Sequence, residues 1–204
     1  MQPTCRCSLS AQTTGKSMSH PLEKFRFCPA CGSSRWAEHN VKSKKCGDCG
    51  FVYYANPSSA TAAFIIRTVV DVGATTGEPR EELLVVRRGK EPAKGTLDLP
   101  GGFVDMNETV EEGMIREIHE ETGLQVAQVD YLFSIPNLYM YSGMDIHTID
   151  MFYEVHVGSN TEVTARDDAA EAMWLPVNKI NPADFGLRSI RQAVERFIED
   201  RHNR

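Results

Sequence analysis

Three carboxylates close together in this chain are the residues that could share one piece of chemistry. Glu117, Glu120 and Glu121 sit in Gly102–Leu124 (GFVDMNETVEEGMIREIHEETGL), directly behind a Leu99-Pro100-Gly101-Gly102 turn. On a helix, at about 100° per residue, the three fall within an arc of roughly 100°. Left bare they repel one another, but they are the hard oxygen donors that Mg²⁺ or Mn²⁺ takes, with waters and phosphate oxygens completing the shell. A solvated acidic face is the commoner fate of a glutamate-rich helix. The glycines favour metal over that reading, because such a turn lets backbone approach a ligand closely, and Gly101 is assigned to the site with the glutamates.

That chemistry needs a helix, and the flanks supply its signals. Thr109 followed three residues later by Glu112 forms a capping box, and Gly123 stands where a left-handed terminal residue is wanted, so the helix runs over about Val110 to Thr122. Met114, Ile115 and Ile118 gather toward a core on the adjoining side. Gly113 keeps the acidic patch uncrowded, and Arg116 lies four residues after Glu112.

Four cysteines make a second chemical set. Cys28-Pro-Ala-Cys31-Gly and Cys46-Gly-Asp-Cys49-Gly are two CxxC knuckles separated by 14 residues. The spacing matches four thiolates around one tetrahedral Zn²⁺, a closed site with a structural role that holds a module too small to fold on its core alone. Two disulfides are the competing reading, and nothing directs the chain to an oxidising compartment. Between the knuckles Arg35, His39, Lys42, Lys44 and Lys45 form a basic segment, read first as a solvated loop and second as a nucleic-acid contact.

Gly102, Glu108, Arg116, Glu117, Glu120, Glu121 and Gly123, with Ile118 and Leu124, stand at the spacing G-x5-E-x7-R-E-U-x-E-E-x-G-U. This string resembles the Nudix box at every fixed position, a chance match on the order of 10⁻⁶. The resemblance implies a hydrolase of nucleoside diphosphates linked to a second moiety, with Mg²⁺ or Mn²⁺ held by Glu117, Glu120 and Glu121. It implies that Arg116 ties Glu108 to the helix, and that Glu117, or Glu171 in a segment facing the box helix, accepts a proton from the attacking water. Arg88 and Lys94, in the basic lead-in to the glycine turn, are expected near the substrate phosphates.

A zinc ribbon ahead of such a domain is similar to the NADH pyrophosphatase group, marked past the box by S-Q-P-W-P-F-P-x-S. Here Ser134–Ser142 keeps Ser134, Pro136 and Ser142 but has Ile135, Asn137 and Tyr139 in place of Gln, Trp and Phe. Tyr139 and Tyr141 are candidates to stack on a base. NADH, NAD-capped RNA, ADP-ribose, dinucleoside polyphosphates and FAD all stay open as substrates. So do two other functions, an RNA-end processing protein and a ligand-sensing module without catalysis.

The elements that must position these residues read as strands around the helix. Thr61–Thr68, Glu82–Arg88, Leu97–Leu99, Val126–Ser134, Thr148–Val157 and Ala172–Pro176 are apolar or β-branched runs, and an amphipathic helix spans about Ser189–Asp200. A turn-rich loop with Gly73 and Gly77 divides the first two. The expected fold is the α/β/α sandwich of the Nudix family, with a mixed sheet, preceded by a small zinc ribbon. The division is 1–20 tail, 21–56 ribbon and 57–204 catalytic domain.

Composition bounds the rest. With 204 residues and 41% hydrophobic content the chain can bury one core and a small satellite. Its net charge of −6 argues against general affinity for nucleic acid, and no run reaches the length of a membrane span. Residues 1–20 are polar and without periodicity, read as disordered and without the apolar core of a signal peptide. Cys5 and Cys7 there fit metal ligands, a redox pair or no role, and translation from Met18 is an alternative start. A cytoplasmic location and a homodimer complete the expectations.

Overall fold

The computed structural model describes residues 19–70, 79–158, 161–164 and 169–203. Met18, Cys5, Cys7, most of the tail, Gly73, Gly77 and the acidic pair Asp167-Asp168 lie outside the described residues. The chain divides between Ala55 and Asn56 into two compact units.

The first unit is a three-stranded antiparallel sheet, β1 (Trp36–Asn40), β2 (Ser43–Cys46) and β3 (Val52–Tyr54). Its small core is Cys28, Trp36 and Cys46, with Phe51 stacked on Trp36. The basic segment is not a solvated loop throughout. Lys44 lies in β2, is buried, and donates to the Phe25 carbonyl, while Arg35 pairs with Asp48.

The second unit is a mixed sheet between two helices. Its strands are β4 (Ser58–Val70), β5 (Pro79–Arg88), β6 (Leu97–Asp98), β7 (Val126–Tyr141), β8 (Met144–Val157) and β9 (Ala169–Pro176). They follow the order β6-β5-β4-β8-β7, with β9 on the other edge of β5. Helix α1 (Val110–Thr122) covers one face and α2 (Arg188–His202) the other. Alternation along the strands makes both cores: Phe64, Leu83, Val85 and Phe152 pack toward Ile190, Val194 and Phe197, whereas Ala63, Ile65, Leu84 and Val155 pack toward Met114 and Ile118.

β4 is the strand that positions the site. Its first half pairs in parallel with β8 and its second half antiparallel with β5. The free edge of the first half is taken by the glycine turn: Ala63 N donates to Pro100 O, Thr61 N to Gly102 O, and Val104 N to Ser59 O.

Several expected elements differ from the structure, β5 and β9 among them, which open at Pro79 and Ala169. β4 opens at Ser58, ahead of the expected start at Thr61, and runs on to Val70. β7 continues through Ser134–Tyr141, because β8 also begins earlier and offers Met144–Ile149 as ladder partners; Pro136 is tolerated on this edge strand. Ile115 is exposed, since the buried stripe of α1 centres on Met114, Ile118 and Glu121, about 100° away.

Candidate active site and zinc centre

Helix α1 begins with the capping box, the Thr109 hydroxyl accepting from Glu112 N and the Glu112 carboxylate from Thr109 N. It ends on Gly123 at φ 76°, whose N–H donates to His119 O. Because Glu112 is used by the cap, Arg116 turns elsewhere. Its Nη2 and Nε donate to Glu108 at 2.7 and 3.2 Å, and its Nη1 to Glu117 at 2.8 Å and Glu120 at 3.1 Å. Arg116 also donates to Phe103 O, so one guanidinium joins the loop, the helix and two of the three glutamates. The Glu108 carboxyl is held below its usual range by Arg116 and by Asp105 N.

Glu117, Glu120 and Glu121 all line a cavity of about 530 Å³ with Gly101, Gly102 and Arg116. Glu121 is buried and accepts from Gly101 N at 3.1 Å. Burial pushes the Glu117 carboxyl up, against the pull of Arg116. Gly101 has φ 147°, and a Cβ there would meet Thr61 O at 2.2 Å; only glycine lets the turn lie this close to β4. Gly113 serves a different neighbour from the one expected: the space beside it holds the Glu108 carboxylate.

Of the expected substrate contacts, Arg88, Tyr139 and Tyr141 line the cavity and Lys94 does not. Arg88 is already engaged, paired with Asp98 and donating to Pro92 O at 2.7 Å and Tyr139 Oη at 3.4 Å. Glu171 is not brought to the glutamates. It stands opposite Arg87 in the β5–β9 ladder and accepts from Arg87 Nε at 2.9 Å at an exposed position. Alternation puts it on the face of Met173 and Leu175, toward α2, and not on the face of α1.

Sequence reading missed Phe103, Asp98, Thr148 and Asp150, all of which line the cavity together with Asn137 of the Ser134–Ser142 array. Phe103 meets Tyr139 edge-on at 5.7 Å. Asp150 is buried and accepts from Asn137, Thr148 and Ser189, the last in the first turn of α2. A signal existed for Asp98 and Asp150: each is a charged residue flanked on both sides by apolar residues of an expected strand, which calls for a partner or a function. Burial pushes the Asp98 carboxyl up, with Arg88 opposing.

In the first unit the four knuckle sulfurs lie within 4.8 Å of one another. Cys28 Sγ is 3.7 Å from Cys49 Sγ, and Cys31 Sγ is 3.7 Å from Cys46 Sγ. A tetrahedron with Zn–S bonds of about 2.3 Å has edges of about 3.8 Å, so the donor set fits zinc. The four cysteines are unbridged, and these two separations are well beyond the about 2 Å of a disulfide. The two knuckles repeat one pattern, Gly32 N donating to Cys28 O and Gly50 N to Cys46 O.

The NUDIX domain family matches residues 67–197 of this chain. The chain belongs to the Nudix family. Among curated Nudix relatives, an NAD-capped RNA hydrolase NudC of Vibrio atlanticus is 24% identical over 182 residues, covering 89% of this chain and 60% of that protein. The chain thus spans less than two thirds of that relative's length. An ADP-ribose pyrophosphatase of Methanocaldococcus jannaschii is 38% identical over 117 residues, 55% of this chain and 65% of that one. A Nudix hydrolase structure from Nitrosomonas europaea superposes with TM-score 0.63 at 21% identity, covering 87% of this chain and 93% of that one. The Nudix domain of Shewanella oneidensis NrtR, solved with ADP ribose, gives TM-score 0.55 at 18% identity over 72% and 90% of the chains. At these identities the structures establish the Nudix fold. No helix among the described residues is long and apolar enough to cross a membrane.

Proposed function

We propose that this Nudix chain is a divalent-metal-dependent hydrolase that cleaves the pyrophosphate bond of a nucleoside diphosphate linked to a second moiety, of the NAD or ADP-ribose kind. The observation that carries the reading is Glu117, Glu120 and Glu121 lining, with the Gly101–Gly102 turn, a cavity large enough for such a substrate. The relatives named for NAD-capped RNA and ADP-ribose support the substrate class.

Glu117, Glu120 and Glu121, with the Gly101 carbonyl, would hold Mg²⁺ or Mn²⁺, which when bound offsets the charge that builds on the diphosphate as its bond breaks. The chain's own groups do the rest. Glu117, which lies against the Gly102 turn, takes the proton from the attacking water. Gly101 N–H fixes Glu121, and Arg116 fixes Glu117 and Glu120 relative to the Glu108 loop. Phe103, Tyr139 and Tyr141 give the cavity aromatic surfaces for a base. Glu171 has no part in this scheme.

A structural Zn²⁺ on Cys28, Cys31, Cys46 and Cys49 holds the ribbon, and the unbridged thiols suit a reducing cytoplasm. Exposed Leu138 and Met140 on β7 and Ile149 on β8 supply an apolar surface for a second copy of the chain. Light scattering after size exclusion tests the dimer, and a monomer at working concentration refutes it.

The test of function is a phosphate-release screen with Mg²⁺ against NADH, NAD⁺, ADP-ribose, FAD, dinucleoside polyphosphates and nucleoside triphosphates, with phosphatase exposing the products. Turnover of NADH or ADP-ribose supports the reading, and turnover of none defeats it. A second reading, that the linked moiety is an RNA 5′ end, is favoured by exposed Phe25, Phe27, Tyr53 and Tyr54 among the ribbon's lysines. RNA binding that weakens steeply with salt and is lost with the ribbon would support it.

A further inference from the structure

The cavity that holds the three glutamates of α1 is lined as well by two buried aspartates, Asp98 of β6 and Asp150 of β8, each 7% exposed. Asp150 accepts from Ser189 of α2, the helix on the sheet face opposite α1. A carboxylate accepts about four hydrogen bonds. Asp98 accepts from Arg88 Nη1 and Leu99 N, and Asp150 from Asn137 Nδ2, Thr148 Oγ1 and Ser189 Oγ. Both therefore keep acceptor capacity at a cavity wall. The charges do not cancel either: Arg88 matches Asp98, whereas the three donors to Asp150 are neutral.

A wall of this kind discriminates. Hydroxyl or amino groups can donate to it, while a phosphate brings acceptors and like charge into a poorly solvated place. We propose that Asp98 and Asp150 select what lies beyond the diphosphate, accepting hydrogen bonds from an uncharged, hydroxyl-bearing sugar and turning away a further phosphate. The inference rests on the hydrolase reading and narrows it: the substrate is a nucleoside diphosphate ending in a sugar, not a nucleoside triphosphate. Asp98 also determines how much of the Arg88 charge the cavity presents, so removing the Asp98 charge should favour an anion.

The experiment compares ADP-ribose with ATP on the full chain and on Asp98→Asn and Asp150→Asn. It reads kcat/KM with Mg²⁺, and calorimetric Kd without divalent metal. The expected result is a wild-type preference for ADP-ribose that falls at least about tenfold in Asp98→Asn, with ATP gaining in absolute terms. Should one variant fail to fold, the other carries the comparison. A wild type that binds ATP as tightly as ADP-ribose, or a preference unchanged in a folded variant, overturns the proposal. If the wild type turns over neither nucleotide, the hydrolase reading fails, and the change in the ratio of the two Kd values between wild type and the aspartate variants still decides this inference.

Discussion

Gly102 and Glu117 share one small volume: a Cβ built on Gly102 would stand 2.6 Å from the Glu117 carboxyl carbon and from its Oε1. The glycine therefore sets where the Glu117 carboxylate rests. Gly102→Ala should keep the fold, because a flexible side chain is what must yield, and lower kcat by about 10²-fold by displacing the carboxylate. Steady-state kinetics with Mg²⁺ beside a thermal melt checks this. Wild-type kcat in the variant would mean that Glu117 acts from another position.

Gly101 predicts a different failure. There the obstacle is backbone, Thr61 O at 2.2 Å, and φ is 147°. Gly101→Ala should lose about 3 kcal/mol of stability, as a backbone clash in a left-handed position does. Denaturant melts of the two alanine variants should separate a stability defect at Gly101 from a catalytic defect at Gly102.

Glu120→Gln leaves shape and burial nearly untouched at a half-exposed position. It should cost about 10²–10³ in kcat while the melting temperature stays within a few degrees. Retention of most activity would remove Glu120 from the metal set.

The ribbon gives a metal-removal test. Elemental analysis should find one zinc per chain, and Cys28→Ser or Cys46→Ser should abolish it, since both cysteines belong to the core of the first unit. Chelation should leave residues 19–55 open to proteolysis. An unchanged digestion pattern in chelator would count against a structural zinc.

Stability should depend on pH through Glu82. It is buried, and although burial raises its carboxyl, hydrogen bonds and charge from Arg67 and Arg80 outweigh that and lower it. A lowered folded value means that the stabilisation is complete above the unfolded carboxylate value of about 4.3 and is lost as pH falls through the lowered one. Glu82→Gln should cost about 2 kcal/mol at pH 7 and progressively less below about pH 4. Melts of both proteins across pH 3–7 check this, and a difference independent of pH would refute it.

Much of the site was legible because its signals are local. The capping box, the glycine stop and the carboxylate arc depend on neighbours within a few residues, so the Val110–Thr122 helix follows from its own letters. The cysteine quartet was legible for the same reason, each knuckle being a four-residue unit. Glu171 was misplaced because the face of a strand residue depends on register, and a shift of one residue reverses it. The length of β7 was missed because pairing with β8 overrides the local pattern of Ser134–Tyr141.

The sequence by itself therefore determined the family motif, the box helix with its three glutamates, and the cluster of four cysteines. Only the tertiary structure decided what surrounds them. It showed Arg116 bridging Glu108, Glu117 and Glu120, Arg88 already engaged by Asp98, Glu171 turned toward α2, and two buried aspartates lining the same cavity. The physical reason is range. Caps, knuckles and helical arcs close within one turn of chain, whereas a cavity wall is made by strands distant in sequence, whose register no local pattern encodes.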